Sequence, residues 1–214
     1  MTPLRLLLNV LAIALVVGLP HLGLTPNFTY TVPILVFVWL FLRSTGERFS
    51  DVGFRLRSCS RRAALTGCAA AVAIFCLMQY AVFPTLELFV ELESEELGLY
   101  DFVRANVVQF VFIVVMAWLV GGFYEEIVLH GFVFTRLAKM IPGKYATAAS
   151  FVVTALLFGA YHLQMGPAGA FNALVVGCVY LGLYVRFDRD LWASIICHGV
   201  YNSIVLTMMY LGHL

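Results

Sequence analysis

Long apolar segments alternate with short polar connections along the whole chain. Each segment approaches the length of about 20 residues that an α-helix needs to cross a bilayer core. The segments cover residues 4–20, 28–42, 63–84, 103–122 with a helical continuation to about 139, 146–163, 168–186 and 190–211. The pattern predicts an all-α fold, namely a polytopic membrane helix bundle of about seven transmembrane helices.

The composition agrees with a membrane protein and argues against other classes. Hydrophobic residues make up 62% of the chain and charged residues 12%, whereas soluble domains carry about 25% charged residues. The net charge is +1, and no basic face with interleaved aromatic residues is visible. Nucleic acid is therefore not expected as a partner, and the lipid bilayer is.

Charges in the connections predict how the bundle sits in the membrane. Lysine and arginine concentrate in alternate connections, at 43–62, 136–144 and 186–189. The connection between the third and fourth segments is acidic instead and holds Glu87, Glu91, Glu93, Glu95, Glu96 and Asp101. The positive-inside rule then places the N-terminus in the cytoplasm and the C-terminus outside. For the Arg-rich segment 43–62 we favour an ordinary cytoplasmic loop over a segment that lies on the lipid surface.

Two adjacent glutamates, Glu125 and Glu126, lie inside one of the most apolar stretches. An ionisable residue in mid-membrane costs about 2.5–3.5 kcal/mol on insertion scales, so an intramembrane carboxylate is a candidate for function. Two carboxylates this close cannot both ionise cheaply in a poorly solvated site. Such a pair is one way in which proteins prepare a general base or a shared proton.

Three of the predicted helices carry chemistry-bearing residues four positions apart, a spacing that puts both members on one helix face. The pairs are Glu126 with His130, Phe158 with His162, and His198 with Asn202. Taken singly, a histidine or asparagine in a span is more often a packing residue. Polar stripes on three helices must all face the bundle interior, so together they predict one shared pocket.

The predicted topology places the candidate site residues at different depths in the membrane. His162 would lie near the outer end of its helix, while Glu125 and His198 would lie deeper. We expect either a bend of the fourth helix near Gly121-Gly122 or a fifth helix that begins deep in the membrane.

The three pairs also carry a family resemblance. Glu125-Glu-Ile-Val-Leu-His130, Phe158-xxx-His162 and His198-xxx-Asn202 resemble the ordered motifs of the CPBP family, the CAAX-protease and bacteriocin-processing (Abi) membrane proteins. The family pattern is Glu-Glu-xxx-Arg, Phe-xxx-His and His-xxx-Asn or Asp. The resemblance covers about residues 103–212. It divides the chain into N-terminal spans with an Arg-rich loop, 1–102, and a protease-like core, 103–214.

The resemblance implies an intramembrane endopeptidase that acts on a peptide or a membrane-anchored protein. Glu125 would take a proton from the attacking water, and His162 would orient that water or return the proton to the leaving amine. His198 and Asn202 would donate hydrogen bonds to the oxyanion. Glu126, His130 and Phe158 would support these groups from behind. The family's arginine is His130 here, and histidine is charged only part of the time near neutral pH.

Other interpretations stay open at this point. We favour a reaction without a cofactor, but zinc is an alternative, held by Glu125, His162 and His198, because two imidazoles and a carboxylate are a common catalytic zinc set. A non-catalytic bacteriocin self-immunity or scaffold protein is a second class. A small proton-coupled transporter is a third, although no pair of broken helices or inverted repeat is visible.

Overall fold

The structure, a computed structural model, describes residues 1–23, 28–89, 101–104 and 106–214, and all regular structure in these residues is helical. Seven helices follow one another: α1 Pro3–Leu22, α2 Thr31–Ser44, α3 Arg61–Glu87, α4 Val107–Met140, α5 Ala146–Tyr161, α6 Leu163–Arg186 and α7 Trp192–Tyr210. Five of them are long and apolar enough to cross a membrane, whereas α2 and α5 have only 14 and 16 residues. The predicted all-α fold is confirmed, and the helices are those of a multi-pass membrane protein.

Polar side chains fix where helices begin. The hydroxyl of Ser60 accepts a hydrogen bond from the Ala63 amide at 3.1 Å at the start of α3. At the start of α4, Asn106 Oδ1 accepts from the amides of Val108 and Gln109, both at 3.1 Å. These caps accept hydrogen bonds from first-turn amides that have no partner inside the helix. An amide without a partner costs more free energy near lipid than in water.

The fourth helix changes its hydrogen-bond spacing where the predicted glutamates lie. Val107–Met116 is α-helical, Ala117–Val133 has π-helical spacing, and Phe134–Met140 is α-helical again. π-helical turns are rare and occur frequently at functional sites. Within this wide segment every residue from Tyr124 to Val133 is buried, so both glutamates lie inside the bundle.

Helix α7 packs against α3, α4 and α6 and forms the centre of the bundle. Two of these contacts depend on glycines. A Cβ atom on Gly67 of α3 would lie 2.6 Å from the carbonyl oxygen of Ala193 in α7, and one on Gly199 of α7 would lie 2.5 Å from the Trp118 ring in α4. Such distances are too short for real side chains, so the helices approach this closely because no side chain is present.

The Arg-rich segment between α2 and α3 folds back onto the bundle. It contains a 3-10 helix, Phe49–Val52, whose last residue is fully buried. The Leu191 amide donates to the carbonyl oxygen of Gly53 at 3.1 Å, and the Tyr184 hydroxyl donates to that of Val52 at 3.2 Å. We call residues 49–55 the docked segment. The docked segment is therefore part of the bundle. The predicted alternatives, an ordinary cytoplasmic loop and a segment on the lipid surface, do not describe it completely.

The docked segment and the other basic connections meet at one end of the bundle, which we call the basic end. Arg189 donates to the hydroxyl of Thr147 at 3.3 Å, and the Trp192 indole donates to the carbonyl oxygen of Arg55 at 2.7 Å. The acidic residues Glu91, Glu93, Glu95 and Glu96 lie outside the described residues. Which end faces the cytoplasm, and the division of the chain at residue 102, stay predictions.

A buried arginine of α4 holds the connection that follows α2 at the basic end. The Arg136 guanidinium donates two hydrogen bonds to the Glu47 carboxylate, at 2.6 and 2.7 Å, and Lys139 also contacts that carboxylate. The guanidinium lies 5.8 Å from the Phe41 ring and 5.4 Å from the Phe132 ring. Burial opposes ionisation of Glu47, but the hydrogen bonds from Arg136 and Lys139 outweigh it and lower its pKa to about 2.

Helix lengths explain the predicted difference in depth. Helix α5 has 16 residues and is therefore about 24 Å long at 1.5 Å per residue. Its end reaches the depth of Glu125, which lies fifteen residues before the end of α4. Helix α7 begins inside the bundle, because Leu191 packs beside Gly131 of α4. The two expected alternatives, a bend near Gly121-Gly122 and a deep start of the fifth helix, stay predictions; the structure adds that α5 is short and that His162 follows its last residue.

Candidate active site

A cavity of about 390 Å³ lies among α3, α4, α5, α6 and α7 and extends to Glu87 at the end of α3, away from the basic end. Five of the seven predicted site residues line it, namely Glu125, Phe158, His162, His198 and Asn202. The other two, Glu126 and His130, are completely buried behind the wall of the cavity. Glu125 and the stripes Phe158–His162 and His198–Asn202 thus share one space, whereas the stripe Glu126–His130, also expected in the pocket, lies behind its wall.

Glu125 faces two imidazole rings across this cavity. Its Oε2 atom lies 3.8 Å from Nε2 of His162 and 3.8 Å from Nε2 of His198. Both distances are too long for direct hydrogen bonds, and polar atoms at this separation are commonly bridged by a water molecule. The Glu125 side chain is 10% exposed, so it meets the cavity while most of its surface is covered by protein.

His162 is held by the helix that it terminates. It follows the last residue of α5, and its Nδ1 atom lies 2.9 Å from the carbonyl oxygen of Phe158 one turn earlier. A carbonyl oxygen can only accept a hydrogen bond, so Nδ1 is the donor. In the neutral ring Nε2 then presents a lone pair towards Glu125.

Glu126 orients the second imidazole from behind. Its Oε1 atom accepts a hydrogen bond from Nδ1 of His198 at 2.9 Å, and Nδ1 of His130 lies 2.9 Å from the same oxygen. The His198 ring stacks on Tyr180, with 4.5 Å between the ring centroids and 18° between the planes. These contacts turn Nε2 of His198 towards Glu125, so the two glutamates have different surroundings: one faces the cavity and the other contacts imidazoles inside the protein.

Asn202 lies one turn after His198 and approaches α4 at a glycine. A Cβ atom on Gly121 would lie 2.7 Å from Asn202 Nδ2 and 3.0 Å from His198 Nε2. The side chains of both residues therefore occupy space that any larger residue at position 121 would take. From the sequence Gly121 was expected only as the position of a bend, whereas in the structure it is part of the site wall.

Three tyrosines that the sequence patterns did not single out lie near Glu125. Tyr30 and Tyr161 line the same cavity as Glu125, and the rings of Tyr30 and Tyr124 are 5.8 Å apart. Tyr124 and Tyr161 each precede a predicted site residue directly in sequence. Adjacent helix positions point in different directions, so this adjacency gave no signal.

A further polar pair lines the cavity beyond the imidazoles. The Tyr201 hydroxyl donates to Oδ1 of Asn172 at 2.9 Å. Asn172 lies on the same face of α6 as Val176 and Tyr180, which also line the cavity. Asn172 is a polar residue in an apolar span, so its sequence context could have marked it as a residue that faces the bundle interior.

The donor atoms around Glu125 match zinc in type but not in placement. A carboxylate oxygen and two imidazole nitrogens are a common zinc set, and ligand atoms 2.0–2.1 Å from a tetrahedral zinc ion lie about 3.3 Å from each other. Here both nitrogen–oxygen distances are 3.8 Å. Within the described residues, no group of three or more His, Cys, Asp or Glu is arranged to hold a metal ion. In this arrangement the three atoms are too far apart to be ligands of one tetrahedral zinc ion.

Comparison with known proteins bears on the second half of the chain. Residues 107–204 match a protein-family model that is described as type II CAAX prenyl endopeptidase Rce1-like. No curated protein and no solved structure matches the chain significantly. The matched residues contain all three motifs that line the cavity or support it, so the predicted resemblance is confirmed. At residues 107–204 the chain therefore carries a domain of the Rce1-like type II CAAX prenyl endopeptidase (CPBP) family.

Proposed function

We propose that the protein is an intramembrane endopeptidase that hydrolyses a peptide bond in a peptide or a membrane-anchored protein. The observation that carries this proposal is the position of Glu125, whose Oε2 atom lies 3.8 Å from two imidazole nitrogens at a cavity wall. A general base has to reach its proton directly or through one water, and this carboxylate has space for that water. The endopeptidase family of the domain supports the same reaction class.

In the first step a water molecule binds between Glu125 and the imidazoles. It donates one hydrogen to Oε2 of Glu125 and the other to Nε2 of His162, which accepts because Nδ1 already donates to Phe158. Glu125 takes the first proton as the water oxygen attacks the peptide carbonyl carbon. A tetrahedral intermediate forms, and its negative charge is on the former carbonyl oxygen.

Donors on α7 stabilise that charge. Asn202 donates through Nδ2, and His198, when doubly protonated, donates through Nε2 while Nδ1 remains bonded to Glu126. One such donor is worth about 2.7–4 kcal/mol of transition-state stabilisation. In the second step Glu125 gives its proton to the leaving amine nitrogen, the carbon–nitrogen bond breaks, and the carboxylate is regenerated.

The decisive experiment compares membranes from cells that produce the wild-type protein, Glu125→Gln or Asp188→Asn. Both variants exchange a carboxylate for an amide, but Asp188 is exposed in the connection between α6 and α7, outside the cavity. Proteomics should find uncut membrane substrates in Glu125→Gln membranes and normal fragments in the other two. Cleavage by Glu125→Gln at the wild-type rate would end the proposal.

We also propose that this hydrolysis needs no metal. Purified protein should keep its activity after exhaustive chelation, and elemental analysis should find no stoichiometric zinc. Activity that disappears on chelation and returns with added zinc would overturn this part and leave the endopeptidase assignment in place.

A non-catalytic membrane protein is the second candidate, and one observation favours it. The family pattern has arginine where this chain has His130, which has a tilted ring contact with Phe158 at 4.6 Å and no permanent charge. A self-immunity or scaffold protein would keep its protective or partner-binding effect in Glu125→Gln. An endopeptidase would lose its effect in that variant.

A further inference from the structure

The outer face of α2 borders an apolar groove that is separate from the candidate active site. Its volume is about 340 Å³, and it shares no lining residue with the active-site cavity. Helix α2, the docked segment and α4 form its walls, which include Val32, Val36, Trp39, Phe49, Phe54 and Ile127. All of its lining side chains are apolar.

The groove faces the surroundings of the bundle. Val32, Val36 and Trp39 are 65%, 48% and 47% exposed. In a membrane protein such a surface contacts lipid, and an apolar groove in it takes up hydrocarbon chains in preference to water. The shape and chemistry of the groove therefore suit an acyl chain that lies along α2.

A cation lies at the end of this groove. Arg43 is exposed one turn after Trp39, and its guanidinium carbon is 5.9 Å from the centroid of the Trp39 ring. Among the described residues Arg43 has no carboxylate partner, because the nearby Glu47 is bound to Arg136 and Lys139. Arginine binds phosphate through two parallel hydrogen bonds, and tryptophan is typical of the level of the lipid headgroups.

We propose that the groove is a binding site for an anionic phospholipid. One acyl chain lies along Val32, Val36 and Trp39, and the phosphate binds Arg43. A zwitterionic headgroup carries its own cation, which competes with Arg43 for the phosphate, so a headgroup with net negative charge binds Arg43 better. This site does not depend on the proposed endopeptidase activity.

Occupancy of the groove also concerns the polar core. Ile127, which lines the groove, directly follows Glu126 in the π-helical part of α4 and is itself 6% exposed. A bound acyl chain packs against the outer side of the segment whose inner side carries the two glutamates. Lipid binding should therefore raise the thermal stability of the whole bundle.

The test uses the full chain in nanodiscs that contain brominated phosphatidylglycerol or brominated phosphatidylcholine, since bromine quenches tryptophan fluorescence on contact. The signal of Trp39 is isolated as the difference between otherwise identical proteins with and without Trp39→Phe. When Trp39 quenching is measured as a function of lipid fraction, the apparent affinity for phosphatidylglycerol should be about fivefold higher than that for phosphatidylcholine. One basic residue near a membrane surface is worth about 1 kcal/mol, which corresponds to this ratio.

Matched charge variants make the test specific. Arg43→Gln should remove the preference for phosphatidylglycerol, whereas Arg62→Gln should keep it. Arg62 is also exposed at the basic end, but its guanidinium lies over Phe187, away from the groove. Equal quenching by the two lipids in the wild-type protein, or loss of the preference in both variants, would overturn the proposal. Melting temperatures of both variants within a few degrees of wild type would exclude misfolding as the cause.

Discussion

Replacing Gly121 with alanine tests the geometry of the candidate active site with a single methyl group. The added Cβ atom would lie 2.7 Å from Asn202 Nδ2 and 3.0 Å from His198 Nε2. Ordinary contacts between heavy atoms are about 3.5–4.0 Å, so the Asn202 amide has to retreat by about 1 Å. Both obstructing atoms are at the ends of side chains that can rotate, so the backbone of α4 and α7 need not move.

The cost should therefore fall on the reaction more than on the fold. A misplacement of about 1 Å at a catalytic group can lower the rate about 100-fold, which corresponds to about 2.7 kcal/mol in the activation free energy. Alanine is favoured over glycine in a helix by about 0.8–1.0 kcal/mol, and this gain offsets part of the strain. We expect kcat to fall about 100-fold while the melting temperature stays within a few degrees of wild type.

The assay needs a peptide that carries a cleavage sequence identified by the membrane proteomics described above, and purified protein in nanodiscs. Gly182→Ala is the matched control, because a Cβ atom on Gly182 of α6 would meet no atom within 4 Å; it should cleave at the wild-type rate. A Gly121→Ala protein that cleaves within twofold of wild type would refute the placement of Asn202 and His198 in the reaction.

Three further predictions concern stability, each measured by thermal unfolding in detergent. Glu47→Gln should destabilise the protein by about 1–3 kcal/mol at neutral pH, after allowance for screening by solvent. Since the folded-state pKa is lowered from 4.5 to about 2, this contribution is present above pH 4.5 and is lost as the pH falls through 2. A difference that stays undiminished below pH 2 would contradict it. Gly199→Ala forces a methyl group to 2.5 Å from the Trp118 ring and should cost about 1–3 kcal/mol; an unchanged melting temperature would argue against that contact. His130→Leu removes one of the two imidazoles at the buried Glu126 and should lower the free energy of unfolding by about 1–3 kcal/mol. His130→Gln should recover part of this loss. Equal stability of the two variants would show that the contact with Glu126 does not contribute.

The helical pairs were predictable because they depend on local geometry. Residues four apart share a helix face whatever surrounds the helix, and the cost of polar groups in lipid forces that face inwards. His130 indeed lies beside Glu126, and His162 bonds to Phe158. The resemblance to a family rested on the same short-range patterns, and the match to residues 107–204 confirms it.

Features that depend on neighbouring helices were not predictable in the same way. The role of Gly121 appears only when α7 is known to lie against α4 at that position. Tyr30, which directly precedes α2, lines the same cavity as Glu125 about a hundred residues away in sequence, and no local pattern connects them. The docked segment reads as a loop because it lies within the Arg-rich segment 43–62, whereas the burial of Val52 depends on contacts with α4 and α6.

The shortness of α5 has a consequence for the lipid around it. Its length of about 24 Å is less than the thickness of about 30 Å of a typical hydrocarbon core, and a span that is too short draws the two leaflets together beside it. Such local thinning brings the aqueous phase closer to His162, which directly follows α5. A protein that consumes water in each turnover would thereby receive it through a deformed membrane rather than through a long pore.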